Sequence, residues 1–279
     1  MPKSGAIWEE TEITPAGRFF PDLVEAWRHR ALAVVFARRN LKIRYKQTIL
    51  GRFWLVAQPL PLTIVLTVFL GKLLSVPSDG IPYALFAFCG TALWAAFQRC
   101  VSDASISLVA NGALLSKVYF PRVLVPISAF LTAVVDAVPL YIVLLIAGAA
   151  FGRFPGWPIL LSLPFLLLAL VIALGIGLWM TVLDALYRDV RVLIPVLLQL
   201  GIYISPIMYP SSIVPPRWQP VYHLNPFVGI LEGLRWSVAA GAPPPLPIDI
   251  GWSVAVAALL ILTGLAVFAK LERVVVDSI

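Results

Sequence analysis

Six long apolar stretches, separated by shorter polar connections, dominate the pattern of hydrophobic and polar positions along the chain. They cover residues 53–74, 81–101, 123–151, 157–183, 192–208 and 248–269. About 20 consecutive apolar residues are long enough to cross the hydrocarbon part of a bilayer as a helix. The pattern therefore predicts an all-α, polytopic membrane protein with six transmembrane helices that form one domain over residues 53–269.

The segment before the first apolar stretch has a different pattern. Residues 1–21 are polar and contain three prolines, and Asp22 is a suitable N-cap for a helix over residues 22–47. Four basic residues of this helix lie within about 100° of one another on a helical wheel, with apolar positions on other sides; they are Arg38, Arg39, Lys42 and Lys46. We predict an amphipathic helix within a cytosolic segment 1–52, which contacts either anionic lipid or a protein partner.

Two connections are long enough to hold short helices. Residues 102–122 are polar and can form one short helix, and residues 209–247 are rich in proline. In the second connection, Asn225 as N-cap and Pro226 at the first helical position predict a helix over residues 227–240, too short to cross a bilayer. The last apolar stretch is followed by a short tail, residues 270–279.

Composition and charge agree with this interpretation. The chain is 60% hydrophobic and 13% charged, whereas soluble domains carry about 25% charged residues. The net charge of +7 does not point to nucleic acid, because 10 of the 21 Lys and Arg precede Phe53, beside a membrane span. The connections on the amino-terminal side of the membrane hold 16 Lys and Arg and those on the other side hold 3. The positive-inside rule therefore places both termini in the cytosol.

The sequence contains no recognisable catalytic set. It has no glycine-rich phosphate loop that would bind ATP, and neither its two histidines nor its two cysteines form a metal-binding cluster. Cys89 and Cys100 are expected to be small packing residues of one span. The nearest approach to a charged cluster, at residues 184–191, is interpreted as a solvated cytosolic turn.

Charged and aromatic residues within the spans are the candidates for a polar interior or a transport path. A charge inside the bilayer usually faces protein or water, so Arg99 and Asp136 are either structural partners or path residues. Aromatic side chains near span ends usually belong to the interfacial belt, although some can line a path for sugars. The resulting set of candidate path or buried polar residues is Arg99, Asp136, Trp94, Tyr203 and Tyr209.

Five stretches of the sequence resemble a known family. They are Arg39-Asn-Leu-Lys-Ile-Arg-Tyr-Lys-Gln-Thr-Ile-Leu-Gly51, Gln58-Pro59, Ser78-Asp-Gly-Ile-Pro-Tyr83, Leu115-Ser-Lys-Val-Tyr-Phe-Pro-Arg122 and Leu224-Asn-Pro-Phe227. With the basic helix and the proline-rich connection before the last span, they resemble the membrane subunits of type-2 ABC exporters. The resemblance covers about residues 25–270. Within that family, the chain most resembles the bacterial permeases that export lipid-linked polysaccharides such as O-antigen, capsule or teichoic acid.

The resemblance implies a subunit of the bacterial inner membrane that has no ATP site of its own. It implies a homodimer with the path along the dimer interface, and two separate ATPase subunits that bind ATP and magnesium. It also implies that the amino-terminal helix and a loop helix near residues 103–116 contact the ATPase. The candidate coupling residues are Arg38, Arg39, Lys42, Arg44, Lys46, Asp103, Ser107, Asn111 and Lys117.

Two alternative functions remain open on the sequence. One is a type-2 ABC permease for a small amphiphile, such as a drug or a lipid. The other is a membrane-embedded transferase, for which residues 184–191 are the nearest candidate.

Overall fold

A computed structural model describes residues 23–115, 120–152 and 155–278, and all regular secondary structure in these ranges is helical. This confirms the all-α prediction. Five helices are long and apolar enough to span a membrane: Phe53–Leu73, Tyr83–Ser105, Leu124–Ala150, Ile159–Leu186 and Pro247–Leu271. The chain is therefore a multi-pass membrane protein. Lys117 lies outside the described residues.

The predicted amino-terminal helix is present in two pieces. Helix α1 spans Leu23–Arg28 and α2 spans Arg30–Tyr45, with a break at His29. Helix α2 lies along the third spanning helix and buries its small residues Ala33 and Ala37 against the bundle. Small side chains allow the backbones of two helices to approach closely, so α2 packs along the bundle on its alanine side. Its other side stays exposed.

The first span is built from three helical pieces. Helix α3 covers Phe53–Ala57, α4 covers Pro59–Leu66, and π-helical turns continue over Thr67–Leu73. The first break lies at Gln58, and Pro59 begins α4. A proline is tolerated there because the first positions of a helix need no N–H donor.

The second span differs from the prediction at its end. Helix α5 runs over Tyr83–Ser105 and is followed by two four-residue helices, α6 (Ser107–Ala110) and α7 (Gly112–Leu115). Asp103, predicted in a connection, therefore belongs to a spanning helix. Because α5 is antiparallel to the first span, Phe53 and Ser105 mark one end of the bundle, here called the near end, and Tyr83 marks the far end.

The predicted charged turn after the fourth span is wrong in one respect. Helix α8 covers Leu124–Ala150, and α9 covers Ile159–Leu186, so Asp184 is still helical. Its side chain is buried and accepts a 2.7 Å hydrogen bond from Arg191 Nε. Arg188 and Asp189 are exposed, as predicted for a turn. The Asp184 carboxylate does not face solvent; its salt bridge with Arg191 holds the first turn of the next helix in place.

The predicted fifth span is shorter than expected. Helix α10 covers Val190–Ile204, 15 residues and about 22 Å, which is less than the roughly 30 Å of bilayer hydrocarbon. The predicted count of six spans thus stays a prediction, because α10 is apolar but shorter than the other five candidate spans. After it come α11 (Gln219–Tyr222) and α12 (Phe227–Val238), the latter close to the predicted bounds.

The start of α12 is capped as the sequence predicts. The Asn225 carboxamide oxygen accepts a 2.9 Å hydrogen bond from the backbone N–H of Phe227. Helix α13 runs over Pro247–Ser278, so the predicted tail continues the last helix. Residues 270–278 contain neither proline nor glycine, so the helix can continue past the end of the apolar stretch.

Close helix contacts at glycines hold the centre of the bundle. Helix α9 packs against both α5 and α13. Gly175 faces Leu260 of α13, and Gly177 faces Ala104 of α5, with no room for a side chain on either side. Apolar lipid supplies no hydrophobic drive for association between helices, so this close van der Waals packing stabilises the bundle.

We expect Gly177→Ala to lower the stability of the bundle by about 1–3 kcal/mol, the usual cost of overpacking. A Cβ atom at Gly177 would lie 2.5 Å from the Cβ of Ala104, which sits on a helix that cannot move independently. Thermal unfolding in detergent, followed with a thiol-reactive dye at the buried Cys89 and Cys100, measures the effect. The matched control is Gly251→Ala in α13, where a Cβ meets nothing within 4 Å. Equal melting temperatures for both variants would contradict the packing argument.

Candidate functional site

One exposed basic face of α2 projects away from the bundle. Arg38, Lys42 and Lys46 are all exposed and follow one another at intervals of four residues. Residues spaced in this way lie on the same side of a helix. Lys46 directly follows α2, and its backbone N–H still donates a 3.0 Å hydrogen bond to the Lys42 oxygen. These three predicted coupling residues therefore form a single surface, which we call the basic face.

Two other basic residues of α2, Arg39 and Arg44, turn inward. Arg39 donates a hydrogen bond to the side-chain oxygen of Asn111, between α6 and α7, and its guanidinium lies 5.5 Å from the Phe36 ring centroid. The Asn111 amide in turn donates to the backbone oxygen of Ser107 at 2.7 Å. Arg39 and Asn111, both predicted coupling residues, thus tie the amino-terminal helix to the short helices after α5.

Ser107 is also internal. Its hydroxyl is buried, lies 2.6 Å from the Ala104 oxygen and 3.2 Å from the Thr181 hydroxyl of α9. It is therefore placed to join α6 to the bundle and not to meet a soluble partner directly. Its role in coupling remains a prediction.

A partly buried ion-pair cluster fixes the end of α2 to two spanning helices. Arg44 forms salt bridges with Asp103 of α5, at 2.5 Å, and with Asp136 of α8. Tyr45 donates a 2.7 Å hydrogen bond to the second oxygen of Asp136. We call these four residues the α2 joint. Asp136 is only 2% exposed, and both of its carboxylate oxygens are bound within the joint.

The electrostatics of the α2 joint keep Arg44 in its charged form. Burial disfavours a charged guanidinium, but the attraction of Asp103 and Asp136 exceeds this effect and raises the pKa of Arg44 above its ordinary value. Burial, together with the hydrogen bond to Asp136, raises the pKa of Tyr45 to about 12. Tyr45 therefore stays protonated and donates at physiological pH. A forked guanidinium can hold two carboxylates at once, which a lysine could not do in the same geometry.

A cavity of about 390 Å³ opens between the first span, α5 and α10. Gln58, Gln98, Arg99 and Ser102 give it a polar wall toward the near end. Leu62 and residues of α10 and the following turn give it an apolar wall farther up. The candidate path residues Arg99 and Trp94 thus meet at one cavity.

The tyrosines predicted with them lie elsewhere. Tyr203 is exposed on α10, and the Tyr209 hydroxyl donates a 2.9 Å hydrogen bond to the Tyr203 backbone oxygen. Neither lines the cavity. Trp94 is buried and packs against Phe97 and Phe227, so it lies between the core and the cavity wall.

The far end contains a buried cation that the sequence analysis missed. Arg235 of α12 is 4% exposed, and its guanidinium lies 3.4 Å from the ring centroid of Phe86. It donates to the backbone oxygens of Phe86, at 3.4 Å, and Ile207, at 3.2 Å. Among the described residues it has no carboxylate within salt-bridge distance. A charged residue inside the apolar run 227–240 is the signal that would have singled it out.

A second interaction fixes the return to the last span. His223 Nδ1 lies 2.9 Å from a carboxylate oxygen of Asp249, which is buried in the first turn of α13. A carboxylate is favourable at a helix N-terminus because the exposed N–H groups carry partial positive charge. At the far end, α12 is therefore anchored to α5, and the residue after α11 is anchored to α13.

Comparison with known proteins agrees with this architecture. A family described as ABC-2 type transporter matches residues 32–238, from α2 to the end of α12. An O-antigen export system permease protein RfbA from Klebsiella pneumoniae is 28% identical over 243 residues, which cover 86% of this chain and 92% of the relative. A protein of the same description from Myxococcus xanthus is 27% identical over 214 residues, 76% of this chain and 81% of the relative. Because the family match covers well over half of the sequence, the chain belongs to the ABC-2 type transporter family, as a membrane subunit that takes part in transport.

Proposed function

We propose that this chain is the permease subunit of an ATP-driven exporter that moves a lipid-linked polysaccharide across the bacterial inner membrane. The observation that carries the substrate class is the alignment with O-antigen export permeases over most of both chains. Family membership alone gives a transport component and leaves the cargo open. In this proposal both termini are cytosolic, so the near end faces the cytosol.

The geometry of α2 supports coupling to a separate ATPase. The basic face points outward, while the α2 joint ties the same helix to α5 and α8. A movement of a partner bound to the basic face would therefore displace α5 and α8 together with α2, because the α2 joint connects the three helices directly. ATP and magnesium would bind to two partner subunits. Individual exposed ion pairs contribute only about 0–1 kcal/mol, so rigidity of the joint matters more than the number of charges.

The exposed apolar face of α10 supports a homodimer with the path between its copies. Seven large apolar or aromatic side chains of this helix are exposed: Val192, Leu193, Val196, Leu197, Leu200, Tyr203 and Ile204. A helix too short to cross the bilayer by itself benefits from a protein neighbour that covers its ends. The cavity beside α10 would then open toward the second copy.

The test uses a bacterial strain that lacks this chain and its paralogues. We expect the strain to lose surface polysaccharide and accumulate lipid-linked glycan inside the cell, and the wild-type chain to reverse both effects. We expect the triple variant Arg38→Glu/Lys42→Glu/Lys46→Glu to restore neither, because the reversed charge repels the acidic ATPase surface that the basic face would meet. Affinity purification of both chains measures the amount of ATPase that copurifies, which should fall at least tenfold for the variant.

The matched control is Arg217→Glu, a charge reversal at an exposed far-end residue. It should retain full ATPase copurification and full surface glycan. Unchanged surface polysaccharide in the deletion strain would overturn the proposed cargo, and altered sensitivity to drugs in that strain would favour the small-amphiphile alternative. Normal ATPase copurification by the triple variant would overturn the proposed docking surface.

A further inference from the structure

The cavity beside α10 contains an arginine in an unusual situation. Arg99 lies six residues before the end of α5, about 9 Å inside the near end of the span. Its one hydrogen bond within the described part of the chain goes to the Gln58 side-chain oxygen, a neutral acceptor. The guanidinium carries five N–H donors, and the side chain is only half-buried, so donors remain accessible from the cavity.

The nearby carboxylates are already occupied. Asp103 and Asp136 both bind Arg44 in the α2 joint, and Asp103 acts on Arg99 only through its field, without a salt bridge. A cation inside a membrane span normally pairs with a carboxylate or faces a water-filled space. Arg99 instead faces a cavity that is large enough for a small-molecule group.

The surroundings of Arg99 suit an anion that carries an apolar chain. Gln98 and Ser102 supply further polar groups beside the guanidinium. They share one face of α5 with Thr91, which lies toward the far end at about 10 Å from Gln98 and about 16 Å from Ser102 along the helix. Above this polar wall, Leu62 and Ile202 give the cavity apolar sides. Arginine is well suited to phosphate because its planar fork matches two phosphate oxygens at once.

We propose that this cavity binds the phosphate headgroup of an anionic lipid taken from the near-end leaflet, with Arg99 as the principal ligand and the acyl or prenyl chain along the apolar wall. The site deepens the proposed function and rests on it for the identity of the lipid. In an exporter of lipid-linked glycan, the phosphate would belong to the carrier lipid of the cargo. An ordinary membrane phospholipid supplies the same chemistry, and the experiment distinguishes the two sources.

The experiment is a lipid titration of the purified full-length chain with its ATPase partner, read by native mass spectrometry. The probes are a polyprenyl diphosphate, phosphatidylglycerol and an uncharged polyprenol of the same length. We expect the polyprenyl diphosphate to bind most tightly and the uncharged polyprenol at least tenfold more weakly. In Arg99→Gln, binding of the diphosphate should fall at least tenfold. The matched control Arg188→Gln removes an exposed arginine elsewhere and should bind as the wild type does.

The possible outcomes separate the claims. Equal loss of both phosphate lipids in Arg99→Gln, with equal affinity in the wild type, supports the phosphate site and assigns it to bulk phospholipid. Unchanged binding of both lipids in Arg99→Gln overturns the site. The thiol-dye melting curve of the variant shows whether it is folded. Loss of binding in Arg99→Gln together with normal surface glycan in the deletion strain would overturn the proposed cargo and leave the site intact.

Discussion

Asp136→Asn is expected to abolish most export and to destabilise the bundle. The substitution keeps the shape of the side chain but removes the charge that holds Arg44 and Tyr45. Breaking a buried ion pair costs about 3–5 kcal/mol, and we expect about 2–3 kcal/mol here because Arg44 is a quarter exposed and keeps Asp103. The thiol-dye melting temperature should fall by about 5–10 °C, and surface glycan should fall at least tenfold.

The control for this prediction is Asp103→Asn. Its carboxylate is 25% exposed, and after the substitution Arg44 keeps its fully buried partner. The loss of stability should therefore be less than half as large. The triple variant Arg44→Leu/Asp103→Leu/Asp136→Leu leaves no unpaired charge in the joint, so its melting temperature should recover to within a few degrees of the wild type. Wild-type stability of Asp136→Asn would show that α2 is held by packing alone.

Arg235→Lys is expected to fail as a replacement although it keeps the positive charge. The Arg235 guanidinium reaches the backbone oxygens of two separate elements, Phe86 of α5 and Ile207 after α10. A lysine ammonium on a flexible stem cannot reproduce this fork. The Ile207 carbonyl lies outside the helices and would lose its donor at a cost of about 1–3 kcal/mol, while the Phe86 carbonyl would keep only its bond within α5. The melting temperature should therefore fall by several degrees and surface glycan at least tenfold.

Arg217→Lys provides the control, because Arg217 is exposed at the same end of the bundle. It should leave both the melting temperature and surface glycan unchanged. Arg235→Gln should resemble Arg235→Lys, since neither variant can bridge the two carbonyls. If Arg235→Lys behaved as the wild type, the positive charge near Phe86 and not the fork would be the property that anchors α12.

Much of the helical arrangement was predictable from local pattern. The apolar runs gave the long helices, because a backbone in lipid must satisfy its own hydrogen bonds and only a helix does so within one segment. Asn225 and Pro226 predicted the start of α12 within a residue, because capping depends on neighbouring residues alone. The motifs that carry the family resemblance are likewise contiguous in the chain.

The candidate site was only partly predictable. The sequence pointed to a basic helix but could not separate Arg38, Lys42 and Lys46, which face outward, from Arg39 and Arg44, which face inward. The partners of Arg44 lie 59 and 92 residues away. A helical wheel describes only the helix itself, so it does not show which side meets a neighbour.

The sequence by itself determined the class of this protein: a basic amphipathic helix followed by apolar membrane helices of an ABC-2 type transporter. Only the tertiary structure decided the length of α10, the pairing of Asp136 with Arg44, the burial of Arg235 and the cavity at Arg99. The physical reason is the range of the interactions. Helix formation and capping depend on residues within one or two turns, whereas buried charges and cavities depend on helices that meet from distant parts of the chain.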